Sequence, residues 1–237
     1  MSHGGGAIQY HYVIQTRSGV VRSLTVMLDP ESLRLLEPEG GWVRPAWAEL
    51  KFNQCSACPL DASTVTHCPA ALALAPLVKL GSGLNTDDTV QASVFSAERT
   101  YVKGTTLTGA LSSLLGLLMA ASGCPALERL RPLARNHLPF ATLEETAFRV
   151  YGLHLLTQHL RQEASREPDW AMRRLARIYE RVRQVNAEFS ARFRAAGGMD
   201  AALAALANLD KTASMIPYVI NETFGDLKKA IKEYTED

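Results

Sequence analysis

The chain has 237 residues, of which 47% are hydrophobic and 21% charged. That composition belongs to a folded globular protein and excludes a disordered, collagen-like or small disulfide-stapled chain. With 25 Lys plus Arg against 24 Asp plus Glu the formal charge is +1, so there is no general electrostatic attraction to nucleic acid or to an anionic membrane.

Residues 1–6 have neither the basic start nor the apolar run of a secretory signal. A cytoplasmic location is therefore expected, where reducing thiol pools disfavour structural disulfides. Residues 10–16 and 20–28 are rich in Val, Ile, Tyr and Thr and are separated by Arg17-Ser18-Gly19, which predicts a β-hairpin. Asp29-Pro30-Glu31 closes the second strand and opens a short helix through Leu36, before Gly and Pro in residues 37–45 impose a loop. A third strand is predicted over residues 47–52. A fourth spans residues 90–96, where Val90, Ala92 and Val94 alternate with Gln91, Ser93 and Phe95.

Between the last two strands, residues 69–80 read as an Ala/Leu-rich helix stopped by Gly81-Ser82-Gly83. After Glu98 the pattern is helical. A helix over residues 104–123 carries Leu107, Leu111, Leu114, Leu115 and Leu118 at helical spacing and stops at Gly123 before Cys124-Pro125. No charge lies between Lys103 and Glu128, a run long enough to span a bilayer. Thr and Ser dilute its other faces, however, so a buried bundle helix is expected and no membrane partner. Gly109 and Gly116 provide flat spots for another helix. Thr142-Leu143-Glu144-Glu145 is a capping box that opens a helix to about Glu163. Pro168 and Asp169 start another that runs to Gly197-Gly198, and Asp200 starts a last one, interrupted at Pro217 and resumed towards the C-terminus. The sum is an α+β fold: an N-terminal antiparallel sheet of about four strands with a cysteine loop, packed on a C-terminal helical bundle. The two regions are expected at residues 1–98 and 99–237, within what can be one compact domain.

The chemistry with the clearest spacing is cysteine. Cys55-Ser56-Ala57-Cys58 is followed by His67-Cys68 and, far along the chain, by Cys124. A CxxC turn brings two thiolates to one tetrahedral ion, so the leading expectation is a structural zinc site of Cys55, Cys58, Cys68 and Cys124, with His67 substituting if Cys124 is remote. An iron–sulfur cluster ranks lower because the C-x2-C-x2-C run is absent. A thiol redox pair at Cys55 and Cys58 and four buried cysteines without chemistry are the other readings. The function expected is thus metal binding. The alternatives are an interaction module, partnered by a second copy or another protein, and an enzyme with an open metal position or a reactive thiolate.

Three segments also carry a resemblance. Ser122-Gly123-Cys124-Pro125, the stretch from His137 to Thr146 (HLPFATLEET), and the Cys55/Cys58-Pro59-Leu60/Cys68-Pro69 segment resemble a group of uncharacterised bacterial proteins, over about residues 50–160. The resemblance implies a bacterial cytoplasmic protein and brings no activity and no residue role.

A second constellation is His137, Glu144, Glu145 and Arg149, which can form a polar pocket at one helix start, with His137 as base or ligand and Arg149 for an anion. The blander reading gives Glu145 to the capping box, Glu144 to the helix dipole and Arg149 to a pair with Glu145. His154 and His159, five residues apart, do not share a helix face. Nine Arg against five acidic residues between Arg161 and Arg194 read as a solvated face, and nucleic acid is not an expected partner. No P-loop, GxGxxG, HExxH or GxSxG motif occurs.

Overall fold

The hairpin forms as the alternation dictates. Strand β1, Ile8–Thr16, turns at Gly19, whose φ of +87° only glycine adopts without strain, into β2, Val21–Leu28. The computed structural model describes residues 6–197 and 200–218, together with Lys229 and Lys232. The expected resumption of helix after Pro217, and Gly198, lie outside the described residues. Tyr10, Tyr12, Ile14 and Thr16 of β1 are buried, and their neighbours point away from the core.

The sheet has four antiparallel strands in the order β2-β1-β3-β4, with β3 at Thr89–Phe95 and β4 at Thr100–Thr106. With the helices that follow, the fold is α+β. The strand count agrees with expectation but the membership does not. Residues 47–52 are not a strand: they hold a single 3-10 turn, Ala46–Ala48, and one isolated bridge, Glu49 to His67. Their carbonyls are taken by an arginine instead of a neighbouring strand, as described below. The fourth strand is β4, drawn from residues expected to be helical. Its Thr and Val content favours strand, and helix begins only where the Thr106 hydroxyl accepts a hydrogen bond from Gly109 N at 3.1 Å. The short helix expected through Leu36 is also absent. There the Asp29 carboxylate accepts from Ser32 N at 2.6 Å, and Leu33 adopts a φ of +56°, which ends the turn.

Six helices complete the fold among the described residues: α1 Pro69–Gly81, α2 Leu107–Ala121, α3 Pro132–Arg135, α4 Leu143–Glu163, α5 Arg173–Ala196 and α6 Asp200–Met215. The capping box opens α4 as expected, with Thr142 N donating to Glu145 Oε2 at 2.7 Å and Glu145 N to Thr142 Oγ1 at 3.1 Å. Helix α5 begins later than Pro168, and the Asp169 carboxylate accepts from Arg173 N and Arg174 N at its start. Central α2 packs against the sheet, α1 and α6. Among the described residues no helix is long and apolar enough to cross a membrane. Helix α4 is apolar on two sides: Ala147, Val150 and Tyr151 are buried, whereas Phe148, Leu156 and Leu160 are exposed.

Candidate functional site

The cysteine loop sits on α5. Arg192, only 1% exposed, donates to the carbonyls of Trp47 at 2.7 Å, Glu49 at 2.8 Å, Leu50 at 3.3 Å and Asn53 at 3.2 Å. One turn before it, Glu188 accepts from Ser56 N at 2.9 Å and from Ser56 Oγ at 2.5 Å, and further back Arg181 donates to Ala57 O at 3.2 Å. Cys58 N closes the CxxC turn on Cys55 O at 3.0 Å. This is one place where the expected solvated face of α5 is instead a seat. Residues 181, 188 and 192 recur at helical spacing, but their charge concealed the packing role.

The seat brings all four cysteines together on the lining of one cavity of about 20 Å³, Cys124 included. His67 is not part of that wall; its Nδ1 hydrogen-bonds Thr66 Oγ1 at 2.8 Å. The metal-binding function expected from these residues is overturned. Among the described residues no group of three or more His, Cys, Asp or Glu side chains is placed to hold a metal ion. The four cysteines are free thiols. Burial pushes the Cys55 thiol up to about 12, helped by its hydrogen bond to the Glu188 carboxylate, and burial also raises Cys68 and Cys124. A reactive thiolate requires the opposite shift. The spacing left open whether Cys124 reaches the other three; in the fold all four cysteines line a space with room for about one water-sized sphere.

The larger cavity lies elsewhere, between α2, α5 and α6, with the segment from Leu127 to Phe140 and the start of α4 closing it. Its volume is about 380 Å³, within the range of small-molecule pockets. The sequence makes this space on α2, where Gly109, Ser112, Ser113, Gly116 and Ala120 share one face. These include the glycines expected to admit a neighbouring helix. Gly116 does so, since a Cβ there would lie 3.4 Å from Leu209 Cδ1 of α6.

Two of the four residues in the second sequence constellation reach the wall of this cavity, His137 and Arg149. Glu144 and Glu145 do not; Glu145 serves the capping box and forms no ion pair with Arg149. Arg149 Nη2 donates to Leu133 O and Asn136 O, both at 2.8 Å, tying the end of α3 to α4. Burial lowers its pKa, and among the described residues no carboxylate forms an ion pair with it. His137 Nε2 and the fully buried Tyr12 hydroxyl are hydrogen-bonded at 2.6 Å, and Tyr12 continues to Ser113 Oγ at 3.2 Å. Burial, then the charge of Arg149, push the imidazole down to about 3, so it is neutral. Ser113 Oγ also accepts from the backbone NH of Phe140, a residue held at a φ of +58°, and Lys103 Nζ donates to Phe140 O at 3.3 Å. A non-glycine residue in that region stores strain that its surroundings must offset.

Sequence reasoning did not single out the polar residues of α5 that face the same cavity. Tyr179, Val182 and Asn186 fall on one face of that helix and line the wall. Tyr179 is buried, and its hydroxyl has no hydrogen-bond partner among the described residues. Asn186 is 1% exposed, donates from Nδ2 to Asp210 Oδ1 at 3.1 Å, and leaves its Oδ1 buried without a partner. The available signal was a Tyr and an Asn interrupting an otherwise apolar stripe. His154 and His159 separate as expected: His154 is buried, with Nε2 bonded to Asp169 O at 3.0 Å, and His159 is exposed beside Glu163.

No curated protein and no solved structure matches this chain. A family model matches residues 8–232, spanning the sheet, the cysteine loop and both cavities, and the chain therefore belongs to the family described as a domain of unknown function, DUF6901.

Proposed function

We propose that this protein binds a small organic molecule in the cavity between α2, α5 and α6. The observation that carries the reading is the 380 Å³ space itself, a largely apolar cleft lined by a few polar groups. Tyr179 supports it, because its hydroxyl, on the wall of the cavity, has no hydrogen-bond partner among the described residues and is free to bond an occupant.

Binding accounts for the geometry better than proton transfer. A general base works best with a pKa near the operating pH, and His137 is held far below it with one nitrogen already bonded to Tyr12. The test is calorimetric titration of the full chain with three eight-carbon probes, octanol, octanoate and octylammonium. At least one is expected to bind at one per chain. Ala120→Phe, which fills the cavity from α2, is expected to remove that binding while keeping a cooperative thermal transition, since filling a void is commonly neutral or stabilising by about 0.5–2 kcal/mol. No binding by any probe, or binding that survives Ala120→Phe, overturns the reading.

A further inference from the structure

We infer that the occupant of the cavity is an organic anion, a monocarboxylate on an apolar body, with its carboxylate seated on Arg149 and Tyr179. This rests on the ligand-site reading above and adds the chemical class.

The first argument is charge. Among the described residues the cavity wall carries two cations, Lys103 and Arg149, and no carboxylate at all. Lys103 is exposed and its ammonium is used by Phe140 O. Arg149 is different. It is partly buried, and both of its hydrogen bonds leave through one nitrogen to neutral carbonyls. A guanidinium withdrawn from water loses solvation that carbonyls replace only in part, and an anion replaces it fully. Its remaining N–H groups form a planar fork that matches a carboxylate.

The second argument is the donor beside it. Arg149, Tyr179 and His137 all stand on the wall of this cavity, and the charge of Arg149 is felt at both of the others. The Tyr179 hydroxyl is uncommitted among the described residues and donates well to a carboxylate oxygen. His137, being neutral, adds no competing charge. An ammonium ligand would meet two cations and no acid. An alcohol would leave the guanidinium uncompensated.

The third argument is the remainder of the wall. Leu127, Leu130, Leu209 and Ile216 add hydrocarbon to the wall, which suits an alkyl or aryl body and disfavours a sugar or a di-anion.

The same three probes share one chain length and differ in charge, so they decide the class. Octanoate is expected to bind about ten-fold tighter than octanol, the size of one charge-assisted hydrogen-bonding pair, with octylammonium below detection. Arg149→Gln is the direct variant, but it also removes the tie between α3 and α4. Tyr179→Phe avoids that problem: it deletes a hydroxyl without a hydrogen-bond partner among the described residues, so its melting temperature stays within about 2 °C of wild type while octanoate affinity falls about ten-fold. Equal affinity for octanol and octanoate, tighter binding of octylammonium, or unchanged octanoate affinity in Tyr179→Phe overturns the anion assignment and leaves the ligand site standing. Silence from all three probes overturns both.

Discussion

Arg192 shows how much of this fold depends on a single side chain. Its guanidinium serves four main-chain carbonyls between Trp47 and Asn53 and lies over the rings of Phe52 and Phe189 at 5.9 and 5.6 Å. Its Nε is the one donor left unpartnered. Coulombic attraction is not what holds it, since among the described residues it has no acid partner. What it does is satisfy carbonyls that no strand reaches. Arg192→Met keeps the volume and removes every donor, leaving buried acceptors unpaired, each costing about 1–3 kcal/mol in part-buried surroundings. We expect a total loss of about 3–5 kcal/mol, at the upper end for a buried charged group. Arg192→Lys should recover little, because one ammonium cannot span four carbonyls. Equilibrium urea unfolding of the two variants measures both; a loss below about 1 kcal/mol in Arg192→Met refutes the role.

At the scale of elements, α4 offers the sharpest contrast. Its outward Phe148 and Leu156 are 60% and 55% exposed, and its inward Val150 is 3% exposed. Leu156→Gln is therefore expected to change stability by less than about 0.5 kcal/mol, and Val150→Ala to cost about 2 kcal/mol, both read from chemical denaturation. Elements with strong local punctuation were legible in the sequence. The hairpin at Gly19, the capping box at Thr142 and the stop at Gly197 all stand where their residues put them. Illegible were the places where a distant residue decides. Residues 47–52 read as strand until Arg192, about 140 positions later, claims their carbonyls. Likewise Thr100–Thr106 forms a strand because β3 offers an edge, and uncharged Thr and Gly alone do not say so. The site divides the same way. Cysteine spacing joined Cys55 to Cys58 in one turn but could not say whether Cys124 reaches them, which depends on how two distant loops meet, and the metal function inferred from the set does not follow. The cavity of Arg149 and Tyr179 depends on which faces of α2, α5 and α6 meet, and no local spacing encodes that.

For the whole molecule, acid stability follows from one ring. His137 is held at about 3 in the fold by burial and by Arg149, whereas an unfolded imidazole titrates near about 6.5. The unfolded chain therefore takes up a proton that the folded chain refuses. Stability is complete above about pH 6.5 and falls as the pH drops towards 3, by up to about 1.4 kcal/mol per pH unit. Hydrogen bonds hold Asp29 and Asp61 below the usual carboxylate range, and their contribution is lost only lower, below about pH 4. Denaturation midpoints between pH 7 and 4.5 should decline in wild type and stay nearly flat in His137→Gln; parallel slopes refute the assignment. The seat of the cysteine loop has a consequence in time as well as in energy. Part of what closes over Cys55, Cys58 and Cys68 comes from α5, through Arg181, Val185, Glu188, Phe189 and Arg192, and about 120 further residues must be made after Cys68 before the last of these exists. At about 5–20 residues per second, the nascent chain carries three incompletely covered thiols for on the order of ten seconds. Its yield on the ribosome will therefore be more sensitive to oxidants than the finished protein, in which Cys68 is buried and the other cysteines half-buried.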